Sequence, residues 1–141
     1  INGLNTQGEN IADNGGLHVA YKAYKNYVKK YGSKKNKILA GPMSKYSGDQ
    51  LFFISFATLS DENYRTNYTL VLQRIELILS IFQIWCENNR KESIRETIQY
   101  GSHCPSRFRV IGTLQNLKEF ADAFHCAVGS RMHPKHKCVL W

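Results

Sequence analysis

The chain has 141 residues and a mass of 16.2 kDa, with 43% hydrophobic residues, 21% charged residues and a formal net charge of +8. This composition fits one globular domain or a piece of a larger one, and it excludes a disordered, collagen-like or low-complexity chain. No window of about 18 residues is free of charge and fully apolar, so the sequence predicts no transmembrane helix. The chain starts at Ile1 without a signal-like segment. We therefore expect it to be part of a longer protein.

Hydrophobic periodicity predicts a series of elements, most of them helical. The first helix, 9–31, places four tyrosines on its expected core face: Tyr21, Tyr24, Tyr27 and Tyr31. Next come a polar loop 32–49 that begins with Gly32 as a helix C-cap, an apolar run Leu51–Ala57, an apolar helix 69–86, a short helix 91–100 and an irregular stretch 101–113. A last helix, Gln115–Val128, is expected to bury Leu117, Phe120, Ala121 and Phe124, before a loop-like tail 129–141.

Positive charge is concentrated around the end of the first helix. Seven of the 19 basic residues are lysines between Lys22 and Lys37. Such a cluster could bind nucleic acid or an anionic surface, or it could be the solvated face of a helix and a loop. Charge alone specifies partners poorly, so we favour the solvated face and predict no nucleic-acid partner. A nucleic-acid-binding module would instead bind tightly and lose affinity steeply with salt.

The four cysteines leave two interpretations open. An even number of cysteines is typical of internal disulfides, whose connectivity the sequence does not give. A zinc knuckle is the other interpretation, but its spacing, C-x6-H-x2-H-x-C, fits structural zinc sites poorly. Its members would be Cys126, His133, His136 and Cys138.

Two short patterns hold residue types that carry chemistry. Glu9 and Asp13 are four residues apart, so both carboxylates lie on one helix face, where one could bind zinc and the other could orient a ligand histidine. His103 precedes Arg109 on a loop with Pro105, and the two could place cationic donors around an oxyanion. Each pattern also has an ordinary explanation, as acidic residues near a helix N-terminus or basic residues in a surface loop, and taken alone neither pattern outweighs it.

Further segments, taken in chain order with these, complete a specific pattern. They are Gly8–Gly16, the pairs Ala20-Tyr21 and Ala23-Tyr24, Leu51–Phe53, Gln83–Cys86, His103-x-Pro105, Phe108–Asn116, Phe120, Ala123–Cys126, Met132-x-Pro134 and Cys138-x-x-Trp141. Together they cover nearly the whole chain. In this order the pattern resembles the neprilysin and endothelin-converting-enzyme family of zinc metallopeptidases.

The resemblance implies a catalytic centre with one zinc ion. Glu9 matches the glutamate that is the third protein ligand, and the other two ligands are histidines of an H-E-x-x-H helix. Asp13 matches the aspartate that orients a ligand histidine. His103 matches the histidine that stabilises the tetrahedral oxyanion, and Arg109 matches the arginine that holds a substrate backbone carbonyl.

The resemblance also implies a substrate pocket and disulfides. Ile84 and Trp85 match residues that line the hydrophobic pocket for the residue after the scissile bond. Cys86, Cys126 and Cys138 match family cysteines whose disulfide partners lie upstream of this segment, so the even number of cysteines would not reflect internal pairing.

The chain departs from the family pattern in three places. It contains no H-E-x-x-H, so two zinc ligands and the general base must lie upstream, and we predict that the chain alone binds zinc weakly and cleaves nothing. Residues 58–82 are an atypical apolar insertion of 25 residues, for which a translated intron is our hypothesis and a genuine extra helix the rival. Cys104 replaces the serine that is usual after the family's histidine.

The sequence therefore predicts a mainly α-helical chain, with residues 1–141 forming the C-terminal portion of a thermolysin-like zincin catalytic domain that is α+β overall. The parent protein is expected to be a zinc metalloendopeptidase that cleaves oligopeptides before an apolar residue. The alternative is a catalytically silent, receptor-like member of the same family. We expect peptide substrates, the missing N-terminal part as partner, and a place on the extracellular face of the plasma membrane or in the secreted fraction, with only an upstream membrane anchor.

Overall fold

The described part of the protein is mainly helical. A computed structural model describes residues 1–35, 41–58 and 90–138. Within these ranges the elements are α1 (Gln7–Lys35), a 3-10 helix (Gly41–Lys45), α2 (Gly48–Thr58), α3 (Lys91–Tyr100), α4 (Ser106–Asn116) and α5 (Lys118–Ala123). No strand occurs in these ranges, which confirms the predicted fold class. None of the helices described is long and apolar enough to cross a membrane.

Helix α1 is the longest described element, with 29 residues. Thr6 stabilises the start of the helix, because it is buried and its Oγ1 accepts a hydrogen bond from Asn10 Nδ2. The helix continues through Gly32, so the predicted C-cap there is wrong; a glycine inside a helix costs only about 1 kcal/mol. The predicted burial of the tyrosine face is only partly confirmed. Tyr21 is buried, whereas Tyr27 and Tyr31 remain 39% and 38% exposed.

Helix α2 begins within the predicted polar loop 32–49 because of a local capping box. The Gln50 N–H donates to Ser47 Oγ at 3.1 Å, and the Ser47 N–H donates to Gln50 Oε1 at 2.9 Å. The apolar run that follows is helical, and it buries Phe52, Phe53 and Phe56.

The core lies where α1, α2, α4 and α5 meet. Helix α1 packs against α4, and α2 packs against α4 and α5. Helix α3, as predicted over residues 91–100, is helical but contains no buried residue. The buried cluster consists of Leu17, Ala20, Tyr21, Phe52, Phe53, Phe56, Leu114 and Leu117.

The C-terminal helices correct two predictions. The stretch 101–113 is not irregular throughout, because α4 begins at Ser106 directly after Pro105, whose missing N–H is no loss at a helix start. The helix predicted over Gln115–Val128 is broken at Leu117, which has φ −83° and ψ 118°, and only Lys118–Ala123 is helical beyond it. The predicted burial of Leu117 and Ala121 is confirmed, whereas Phe120 and Phe124 are only partly buried against the core.

The break at Leu117 coincides with contacts from the C-terminal tail. Lys137 Nζ donates to the carbonyl oxygen of Gln115, and the Cys138 N–H donates to Asn116 Oδ1 at 3.3 Å. Groups at the end of α4 thus have partners about 20 residues further along the chain, which local periodicity cannot encode.

Several predictions fall outside the described residues. These are most of the apolar insertion 58–82, the predicted helix 69–86, the pocket residues Ile84 and Trp85, Cys86, and the last residues 139–141.

Candidate functional site

The four residues assigned to a catalytic centre lie together in the structure. Glu9 and Asp13 lie one turn apart near the start of α1. His103 lies in the turn between α3 and α4, and Arg109 lies in the first turns of α4. The side chains meet across sequence separations of 96 and 100 residues.

Arg109 forms a bidentate ion pair with Asp13 at the centre of this cluster. Its Nε donates to Asp13 Oδ2 at 2.6 Å, and its Nη2 donates to Asp13 Oδ1 at 2.5 Å. The side chains are 13% and 10% exposed, respectively. Two parallel bonds from a planar guanidinium fix both the distance and the orientation of the carboxylate.

Glu9 and His103 form the more exposed half of the cluster. Glu9 Oε2 lies 3.1 Å from His103 Nδ1 and 3.3 Å from Arg109 Nη2. Arg109 Nη1 lies 3.5 Å from the same His103 nitrogen. A ring nitrogen is either a donor or an acceptor, so Nδ1 cannot both donate to Glu9 and accept from Arg109. We assign the Nδ1 proton to the contact with Glu9, because it is the shorter of the two. Nε2 then remains as the second polar atom of the ring.

The local sequence explains why α1 and α4 bring these groups together. On α1 the polar Asp13 is followed one turn later by Leu17, which is 1% exposed. On α4 Arg109 is followed by Thr113 and Leu114, which are also buried. The apolar residues pack the helices against each other, and this packing places the polar turns N-terminal to them side by side. The Thr113 hydroxyl donates to the Arg109 carbonyl at 2.6 Å.

The cluster can contribute to a metal site but cannot form one alone. In the described ranges no group of three or more His, Cys, Asp and Glu side chains is arranged to hold a metal ion. The Glu9 side chain is 41% exposed, so it combines an anionic oxygen donor with access from outside. This fits a single carboxylate ligand of a zinc ion whose other ligands come from elsewhere.

A second pair of side chains, to which the sequence analysis assigns no role, joins the same two helices. Asn116 Nδ2 donates to Asn14 Oδ1 at 3.0 Å, across 102 residues. Neither asparagine has a local pattern that points to the other. Only the three-dimensional packing of α1 on α4 reveals the contact.

The cysteines that the structure describes form no disulfide with one another. Cys104, Cys126 and Cys138 are free thiols, with Cys138 the most exposed. The expected disulfides to partners outside the chain therefore stay a prediction.

Comparison with known proteins gives the family of the chain. The model of peptidase family M13 matches residues 1–77 and 76–140. Bovine endothelin-converting enzyme 1 is 43% identical over all 141 residues, and mouse neprilysin is 44% identical over the same length. Human neprilysin is 43% identical. The chain spans about 15% of the length of each of these relatives.

Proposed function

Since this chain belongs to peptidase family M13, we propose that it is the C-terminal portion of the catalytic domain of a zinc metallopeptidase. The observation that carries the proposal is the meeting of Glu9, Asp13, His103 and Arg109 at one place on α1 and α4. The cluster offers an exposed carboxylate as a possible metal ligand, and cationic donors that could stabilise the negative charge developing in peptide-bond hydrolysis.

Glu9 would be the zinc ligand that this chain supplies. Its carboxylate is accessible, and its Oε2 is held by His103 and Arg109, which limits the positions the side chain can adopt. When bound, zinc polarises the scissile carbonyl and lowers the pKa of water. Two ligand histidines and the general base would come from an H-E-x-x-H helix outside this chain, and we therefore infer that the chain alone is inactive.

Asp13 would orient one of those ligand histidines. Both of its oxygens already accept hydrogen bonds from Arg109. A carboxylate has about four lone-pair sites, so Asp13 can accept a further bond from an imidazole N–H. Arg109 would then hold the Asp13 carboxylate in place for that bond.

His103 and Arg109 would stabilise negative charge on the substrate. Arg109 would hold a substrate backbone carbonyl. The imidazolium form of His103, which carries a proton on each ring nitrogen, would donate from Nε2 to the developing oxyanion while Nδ1 donates to Glu9. The His103 side chain is 55% exposed, which leaves it accessible to a substrate. A preference for an apolar residue after the cleaved bond would come from Ile84 and Trp85.

The rest of the proposal concerns the parent protein. It would act on oligopeptides at the extracellular face of the plasma membrane or after secretion, with Cys86, Cys126 and Cys138 paired to cysteines outside this chain. The second candidate is a catalytically silent, peptide-binding member of the family. It is favoured by one observation, the apolar segment 58–82 directly before the expected pocket residues.

The test begins with a full-length transcript read through and upstream of this region. We expect an intact H-E-x-x-H upstream of Glu9. The encoded protein should cleave a peptide with an apolar residue after the scissile bond, lose this activity on chelation and regain it with zinc. His103→Gln should lower kcat by about 100- to 1,000-fold with little change in KM.

The matched control is His18→Gln, which changes an exposed histidine of α1 outside the cluster and should leave kcat unchanged. An altered H-E-x-x-H together with peptide binding but no cleavage would establish the silent homologue instead.

A further inference from the structure

Two side-chain bridges join α1 to α4, and only one of them belongs to the catalytic cluster. Asp13 binds Arg109, while its neighbour Asn14 binds Asn116. The two partners on α4 are seven residues apart, which is about 10 Å along a helix. Adjacent residues of α1 are thus held at two well-separated points of α4.

The asparagine bridge is part of a directed chain of hydrogen bonds. The Cys138 N–H donates to Asn116 Oδ1 at 3.3 Å, and Asn116 Nδ2 donates to Asn14 Oδ1 at 3.0 Å. Asn14 Nδ2 in turn donates to the carbonyl oxygen of Asn10 at 2.7 Å. Every amide nitrogen meets an oxygen, so the orientation of both amides is fixed by their partners. The chain ends beside Glu9.

Two anchors constrain a helix in a way that one does not. The apolar packing of α1 on α4 presses the two helices together, but packing is less directional than hydrogen bonding and limits small rotations about the Arg109–Asp13 pair less strictly. The second bridge, two turns further along α4, opposes these rotations. Glu9 lies one turn before Asp13, so any rotation of α1 would move its carboxylate sideways, and metal ligands tolerate errors of only about 0.5 Å.

We propose that Asn116 is a positioning residue, which fixes α1 on α4 so that Glu9 and Asp13 face His103 and Arg109. It contacts none of these four side chains in the described contacts and acts through Asn14. The proposal rests on the proposed function, because it assigns Asn116 a purpose only if Glu9 and Asp13 serve the zinc site.

The experiment compares Asn116→Ala and Asn116→Asp with the wild type in the full-length protein. Aspartate keeps the shape but has no N–H, so an oxygen would face Asn14 Oδ1. We expect both variants to bind zinc about 10- to 100-fold more weakly in competition with a chelator, as is typical when the support of a ligand is lost. The value of kcat should fall in parallel, and KM should stay within about twofold, since no substrate contact is removed.

The matched control is Gln50→Ala, which removes the partly buried bond from Gln50 Nε2 to the Ala123 carbonyl between α2 and α5 and also the capping-box bond from the Ser47 N–H. It should lower Tm at least as much as Asn116→Ala and leave zinc affinity unchanged. If the Asn116 variants lose only thermal stability, as this control does, the inference is overturned. A wild-type protein that binds no zinc would instead overturn the proposed function, and the inference with it.

A double variant tests whether Asn116 acts through Asn14. Asn14→Ala should weaken zinc binding as much as Asn116→Ala, and the double variant should be no weaker than either, since both remove the same bond. Losses that add would show that Asn116 does not act through Asn14.

Discussion

Arg109 is the single residue on which the electrostatics of the cluster depend most. It neutralises Asp13, which is only 9% exposed, and it also contacts Glu9. A buried carboxylate that loses its partner has no water to replace it, so removing one member of a buried pair is far more costly than the net value of the pair. The Lys25–Asp49 pair between α1 and α2 offers a contrast, since its side chains are 49% and 32% exposed.

We therefore expect Arg109→Ala to lower the free energy of unfolding by about 3–5 kcal/mol. Lys25→Ala should lower it by at most about 1 kcal/mol, because water solvates the Asp49 carboxylate that remains. Arg109→Lys should fall between them, since lysine keeps the charge but not the fork geometry. Denaturant unfolding of the full-length variants measures all three. Equal losses for Arg109→Ala and Lys25→Ala would show that the Asp13 carboxylate is not buried as described.

Among the helices, the sequence was most informative where the structure depends on local signals. The spacing of apolar residues correctly gave most of α1 and all of α3, although it ended α1 too early at Gly32. It does not predict α4, because Pro105 and Gly112 are typical of irregular structure. Proline at a helix start and a glycine within a packed helix are both tolerated when tertiary contacts compensate.

The candidate site shows the same division between local and long-range information. The spacing of Glu9 and Asp13 correctly placed both carboxylates on one helix, but nothing local indicated Arg109 as their partner. The resemblance to a family supplied that grouping. Asn116 remained without a role because its meaning depends on Asn14, 102 residues away.

Alanine substitutions at Gly101 and Gly112 are expected to have opposite effects on stability. A Cβ on Gly101 would lie 2.5 Å from the backbone oxygen of Thr97 and 3.3 Å from that of His103, so Gly101→Ala must displace the turn that carries His103. A Cβ on Gly112 would meet nothing within 4 Å inside α4. We expect Gly101→Ala to destabilise by about 1–3 kcal/mol and to lower kcat. Gly112→Ala should stabilise by about 0.5–1 kcal/mol. Thermal unfolding distinguishes them, and a neutral Gly101→Ala would contradict the tight turn.

The packing of α1 on α2 leads us to expect that the free energy of unfolding depends on pH in the alkaline range. Burial, together with the Asp49 carboxylate that accepts a hydrogen bond from the phenol, raises the pKa of Tyr21 to about 12. Below about pH 10 the phenol is neutral in both states. Between about pH 10 and pH 12 the unfolded chain ionises first, so the free energy of unfolding should fall there, by on the order of 2 kcal/mol after allowing for solvent screening.

Tyr21→Phe should remove this part of the pH dependence of the free energy of unfolding. Denaturant unfolding at a series of pH values from about 8 to 12 measures it. The control is Tyr100→Phe, since Tyr100 is exposed. A wild-type curve that stays parallel to that of Tyr21→Phe above about pH 10 would contradict the burial of the phenol.

For the whole molecule, the segment 58–82 is the feature that decides whether the proposed catalytic domain is intact. The two matches to the family model meet at residues 76–77, inside this segment. Helix α2, which supplies three phenylalanines to the core, ends at Thr58 where the segment begins. So apolar a segment must be buried, bound to a partner or misfolded.

We propose that the segment is a translated intron, and we expect most transcripts to lack it. Full-length protein that joins Ala57 directly to Gln83 should have a higher Tm and should cleave peptides, because Ile84 and Trp85 then follow α2 as the family pattern requires. The protein that keeps the segment should be less stable and should lose affinity for substrates with an apolar residue after the scissile bond. Transcripts that uniformly contain the segment, together with a lower Tm on its removal, would mean that it is a genuine part of the fold. In that case the pocket of this family member would have an additional wall.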